Sequence, residues 1–256
     1  MSQTQTEKPR LVRAMGFWML TAYGVGDILG AGIYALVGEI AGVAGSMCWV
    51  SFLLAGVVAG LTGLSYAELG SRFPVSSGES YFVQQAFRMP RLSFLTGWLV
   101  FCSGLVSMAT ITRAFAGYGE RLIPDASSSI LIVFFVVALG GIAFVGIRIS
   151  SSANAVCTVI ESGGLILLAG GACAWLLHGN TAPAAETAMA TQAAEPGLTG
   201  VLQGAALAFF AFIGFEDMAN VAEEVKDPIR SMPRAIVWTL ILATVLYMAT
   251  TVAVLV

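Results

Sequence analysis

The sequence predicts an all-α integral membrane protein of about seven transmembrane helices, the first and sixth of them discontinuous. Three observations carry that prediction. Of 256 residues, 57% are hydrophobic and only 11% are Asp, Glu, Lys or Arg, against roughly 45–50% and about 25% in soluble domains. Apolar runs recur about every 30–35 residues, the length of a helix crossing roughly 30 Å of hydrocarbon plus a connection. Two of these runs are interrupted by glycine beside an acidic residue, where a simple span would be continuous.

The composition excludes a disordered chain, a coiled coil and an ordinary water-soluble enzyme. A net charge of −3 without a basic block gives nucleic acid nothing to bind. Cys48, Cys102, Cys157 and Cys173 sit singly in apolar runs and read as packing residues. The lone His178 has no second histidine near it, so no metal ligand set is present in the pattern.

Taken in order, residues 1–13 read as a polar cytoplasmic tail, and no cleavable signal peptide is expected. Spans are expected at 15–37, 43–67, 92–118, 129–147, 154–177, 198–222 and 235–256. Residues 76–88, with Tyr81, Phe82 and Phe87 among Glu79 and Arg88, read as a short interfacial helix. The stretch 178–197, rich in Ala and Thr with Pro183 and Pro196, reads as an extracytoplasmic loop.

Orientation follows from the basic residues. Lys8, Arg10, Arg13, Arg72, Arg88, Arg91, Arg148, Lys226, Arg230 and Arg234 all fall on one side if the N-terminus is cytoplasmic. Arg121 alone falls opposite, and Arg113 lies within the third span. A seven-helix receptor or retinal protein has the reverse orientation, and the latter needs a lysine in its last span. The two lysines, Lys8 and Lys226, both lie outside the spans.

Three constellations carry chemistry. In the first span, Gly24, Gly26, Asp27, Gly30 and Gly32 lie within nine residues. The spacing misses G-x-G-x-x-G, and no strand precedes it. Gly26-x-x-x-Gly30 fits a close helix-packing face. The density of glycine exceeds what one packing face needs and, with a carboxylate that costs about 2.5–3.5 kcal/mol at a helix centre, favours an unwound segment. Its exposed N–H groups would hold a carboxylate at the positive end of a half-helix. The sixth span carries Phe209-Phe210-Ala211-Phe212-Ile213-Gly214-Phe215-Glu216-Asp217. Phenylalanine there reads either as lipid- or core-facing bulk or as the walls of a site around a second break, whose free carbonyls and aromatic faces would receive an ammonium group. Two such spans, five apart, form the pattern of inverted repeats that meet at a midplane site. Glu161 is the one acidic or basic residue of the fifth span, and it reads as a proton- or ion-coupling group or as a structural pin. Glu68 and Arg113 are further charges near membrane depth, with a pairing acid expected for Arg113.

These residues carry a resemblance. Gly30-Ala31-Gly32-Ile33-Tyr34, Ser65-Tyr66-Ala67-Glu68-Leu69 with Pro74 and Gly78, and Gly97-Trp98 are similar to the amino acid–polyamine–organocation permeases. So are Phe210 to Glu216, Ala222-Glu223-Glu224-Val225-Lys226-Asp227-Pro228, and Pro233-Arg234-Ala235-Ile236. The similarity runs from about residue 14 to the last residue, and it is specific through the order and spacing of motifs that are each weak alone. It implies a five-plus-five inverted repeat: a first repeat over 14–177 and the start of a second over 198–256. Residues 250–256 are apolar to the end with no interfacial anchor, so the second repeat is expected to be incomplete.

The resemblance further implies that Ala31 and Gly32 donate backbone N–H groups to a substrate carboxylate. Ile28 and the carbonyls of Phe210, Ala211 and Ile213 would take the α-ammonium, with Phe210 and Phe215 as walls or gates. Gly30, Ile33, Phe212 and Gly214 complete the candidate substrate site. Asp27, Glu161 and Glu216 are the candidate coupling or gating groups, and Glu161 stands near where some members carry a lysine. The expected function is secondary active transport of amino acids or related amines, by uptake or exchange, across the plasma membrane. The alternative is a non-transporting half-permease that binds ligand or a partner. No nucleophile–base pair, metal cluster or phosphate loop supports an enzyme, and no cofactor is expected beyond a coupling proton or cation. Membrane lipid is the expected surrounding, and self-association is left open.

Overall fold

The computed structural model describes residues 13–123, 127–145, 147–178 and 197–255. The expected loop at 178–197 therefore lies almost wholly outside the described residues, as does most of the N-terminal tail. The described chain is helical, and an isolated parallel bridge between Met15 and Val225 is its one β interaction. In chain order the helices are α1 (Phe17–Ile28), α2 (Ala31–Ala44), α3 (Cys48–Arg72), α4 (Gly78–Phe87) and α5 (Pro90–Leu122). They continue as α6 (Ser128–Val145), α7 (Ile147–Leu177), α8 (Leu198–Phe212), α9 (Asp217–Asn220) and α10 (Pro228–Leu255).

Both expected discontinuities are present. The first span divides at Leu29-Gly30 into α1 and α2, and its second half runs on to Ala44 rather than stopping near 37. A 3-10 turn at Gly45–Met47 leads into α3. The sixth span divides after Phe212, and the single turn α9 and a 3-10 turn at Ala222–Glu224 follow. The short helix expected at 76–88 appears as α4. The seventh begins at Pro228, earlier than residue 235, because proline at the first helical position loses no intrahelical bond and has its φ preset. Pro233 is then absorbed near the start of the helix.

By length and composition, Gly32–Arg72, Pro90–Leu122, Val156–Trp175, Leu198–Asn220 and Pro228–Val254 are five stretches able to cross a membrane. Ser128–Phe144 is a shorter apolar helix. The count differs from seven partly because the first break leaves α1 as a 12-residue half and fuses α2 with α3.

The core lies where α1, α2 and α8 are held between α3 and α10. Small residues set these approaches. Gly56, Gly63 and Gly70 are seven residues apart and so share one face of α3. A Cβ at Gly56 would lie 2.7 Å from Thr244 Oγ1, and one at Gly70 would lie 3.0 Å from Met232 Cε. At Gly63 it would run into Leu240. Across α3 from this seam, Ser51 Oγ donates to the Val201 carbonyl at 2.9 Å, and a Cβ on Gly204 would stand 2.6 Å from that oxygen. Gly204→Val should therefore overpack the α3–α8 contact and destabilise the fold by about 1–3 kcal/mol. Thermal unfolding of the detergent-solubilised chain reads that loss, and an unchanged midpoint would refute it.

Helices α5, α6 and α7 are peripheral. Phe94, Phe144 and Leu167 are 74%, 94% and 77% exposed, an apolar surface that water does not tolerate and a bilayer solvates. The described chain is accordingly a multi-pass membrane protein.

Candidate functional site

The two helix breaks face each other. Gly214 adopts φ +129°, a conformation that favours glycine. A Cβ there would lie 2.8 Å from the Asp27 carbonyl oxygen and 3.2 Å from the Ile28 nitrogen. The chain after α8 thus lies directly on the last peptide of α1. At the neighbouring approach, a Cβ on Gly32 would stand 3.0 Å from Ala211 Cα. Both contacts are backbone to backbone; the first leaves no room for a side chain, and the second is tighter than an ordinary Cβ contact.

Each break releases backbone groups. The first four N–H groups of α2 have no intrahelical acceptor, and Gly30 supplies no side-chain cap. They form the positive end of a 14-residue helix. Helices α1 and α8 both terminate here, so their carbonyl ends converge from the other sides. The Glu216 carboxylate folds back and accepts the Gly214 N–H at 2.9 Å, which steadies the second break.

A cavity of about 470 Å³ opens beside the breaks. Asp27, Ile28, Gly30 and Gly32 line it from the first break. Phe210, Ala211, Ile213, Gly214, Phe215 and Glu216 line it from the second. One buried Asp27 oxygen, Oδ2, has no hydrogen-bond partner among the described residues. Ile33 and Phe212 do not line the cavity; both are fully buried in the core. At 100° per residue, Phe212 points to the face of α8 opposite Phe210, and its ring meets Tyr247 edge-on at 5.1 Å. Ala31 opens α2, and its side chain is outside the described residues.

Glu161 is half-buried on α7, away from this cavity; its backbone carbonyl, not its carboxylate, accepts the Tyr34 hydroxyl at 2.8 Å. Glu68 pairs with Arg72 at 2.7 Å on an exposed face. Arg113 is exposed and forms no ion pair among the described residues. No group of three or more metal-ligating side chains occurs among the described residues.

Several site residues escape the sequence reading. Tyr66 packs edge-on against Phe215 at 5.5 Å, and its hydroxyl donates to Glu79 Oε1 at 3.1 Å. Ser103 and Ser107 reach the cavity from α5, four residues apart on one face. Tyr247, fully buried on α10, places its hydroxyl on the carbonyls of both Ile28 and Ala211. The lone tyrosine of the seventh span was the available signal. The lining includes the acids Asp27, Glu79, Glu216 and Asp217 and, among the described residues, no lysine, arginine or histidine.

Below the second break the chain is tied to the N-terminal segment. Met15 N–H donates to the Glu224 carbonyl and Lys226 N–H to the Met15 carbonyl, each at 2.9 Å. Ser76 N–H donates to Glu223 Oε1 at 3.0 Å, which joins the connection before α4 to the same segment.

A family model described as amino acid permease matches residues 15–256. The branched-chain amino acid permease BcaP of Bacillus subtilis is 28% identical, over 93% of this chain and 53% of its own. The inner membrane transport protein YbaT of Escherichia coli is 31% identical, over 93% and 54%. The vacuolar cationic amino acid transporter 2 of Arabidopsis thaliana is 32% identical, over 95% and 41%. The chain spans about half the length of the curated relatives it matches.

Proposed function

Because the chain belongs to the amino acid permease family, a family of transporters and not of enzymes, we propose that it carries amino acids across the plasma membrane by alternating access, as a secondary active transporter. The substrate sits between the two helix breaks. Its carboxylate meets the N–H groups of Ala31 and Gly32 at the start of α2, and its ammonium meets the carbonyl ends of α1 and α8. Phe210 and Phe215 bound the side chain. Asp27 and Glu216 are the coupling and gating groups closest to the substrate, and Glu161 acts from α7. The N-terminus is cytoplasmic.

One observation carries this reading. Among the described residues no basic side chain lines the cavity, yet it borders the uncapped positive end of α2. Backbone N–H groups at a helix start hold a carboxylate without help from lysine or arginine. The lining acids and carbonyl ends suit an amine at the other end of the ligand. Two half-helices of opposite polarity therefore read the zwitterion common to all amino acids. The remaining volume selects the side chain.

The test is uptake by the purified chain in proteoliposomes. Saturable uptake of a labelled amino acid is expected, with competition by other free amino acids and none by amino acid amides, which lack the carboxylate. Binding without flux would overturn transport in favour of a ligand-binding membrane protein. Equal competition by the amides would overturn the role given to α2.

A further inference from the structure

Helices α1 and α8 end close enough for one side chain to reach a carbonyl of each, and a helix end leaves its last carbonyls without intrahelical donors. Two negative helix ends brought together also repel. The group that answers both comes from neither helix. Tyr247, two turns from the end of α10, reaches in from the side: its hydroxyl is hydrogen-bonded to the Ala211 carbonyl at 2.8 Å and to the Ile28 carbonyl. Its ring is wedged edge-on between Phe52 at 5.7 Å and Phe212 at 5.1 Å. The side chain is fully buried, so no water substitutes for the hydroxyl. Ile28 and Ala211 are also residues that line the cavity on its other side.

A phenol carries one proton. At any instant it donates to one of the two carbonyls, and the other keeps an acceptor position for a second donor. We infer that Tyr247 is a positioning residue: from behind the two breaks, its hydroxyl holds the Ile28 and Ala211 carbonyls at the spacing that a substrate ammonium group requires. The inference rests on the amino acid transport reading. Tyr247 does not meet the substrate; it sets the separation and direction of the acceptors that do, and it shares them with the ammonium. A ligand lacking the amine gains nothing from it.

The experiment measures binding of an amino acid and of its des-amino carboxylic acid by the full chain and by Tyr247→Phe, with the melting midpoint recorded for each. Phenylalanine keeps the ring contacts and removes the hydroxyl. The expected result is an approximately tenfold loss of amino acid affinity with the des-amino acid unchanged. Equal weakening of both ligands would make the residue merely structural, and unchanged affinity for both would also overturn the inference. Should Tyr247→Phe fail to fold, 4-aminophenylalanine in place of Tyr247 offers two N–H donors at the same position. Affinity within about twofold of the parent is then expected, and a tenfold loss would overturn the inference. If the parent chain binds neither ligand, the transport reading falls and takes this inference with it. Parent binding with an indifferent variant removes the role of Tyr247 alone.

Discussion

Gly214→Ala is expected to abolish amino acid uptake and to lower stability at the same time. The position has φ +129°, where a side chain strains the backbone by about 1–3 kcal/mol. The added methyl would also stand 2.8 Å from the Asp27 carbonyl oxygen and 2.9 Å from its carbon. Neither neighbour is a side chain that can swing aside. The clash is relieved only by moving one half-helix away from the other, which opens the contact on which the site is built. Uptake below a tenth of the parent level and a lowered melting midpoint are expected together. Retained uptake would show that the two breaks do not need this approach.

Gly32→Leu is the second large effect, and its signature differs. A Cβ at Gly32 would lie 3.0 Å from Ala211 Cα, and the residue lines the cavity. A leucine both separates α2 from α8 and fills space assigned to the substrate. Loss of detectable uptake is expected. Gly32→Ala adds the tight contact without the bulk, and a rise of about tenfold in KM, equivalent to about 1.4 kcal/mol, is expected. If Gly32→Leu transports normally, the substrate lies elsewhere in the molecule.

The glycine cluster of the first span and Gly214 of the sixth were legible as interruptions, but the reason for each glycine was not. In the first span two readings competed, a packing face and an unwound segment, and the structure divides the residues between them. Gly26 packs, since a Cβ there would lie 2.6 Å from Thr158, and Gly24 abuts Met218 and Thr239. Gly30 sits at the break with negative φ, and Gly32 allows the approach of α8. Periodicity cannot separate these roles, because each is decided by what arrives from a distant helix. The same holds for the phenylalanines of the sixth span. Phe210 faces the cavity and Phe212 the core, and a run of apolar residues reads alike from either side.

Hydropathy, glycine interruption and the acids that follow it are local properties, and from them alone the sequence determined an all-helical membrane protein with two broken spans. The partners of those breaks depend on residues far apart in the chain: Gly214 against Asp27, Tyr247 against Ile28 and Ala211, Tyr66 against Phe215. A buried tyrosine and a core tyrosine that caps two helices have the same local pattern. Only the packed structure decides between them, because a free carbonyl at a helix end finds its donor wherever the fold brings one. The class of this protein is thus written in its composition, while the shape of its site is written in contacts between segments that composition does not record.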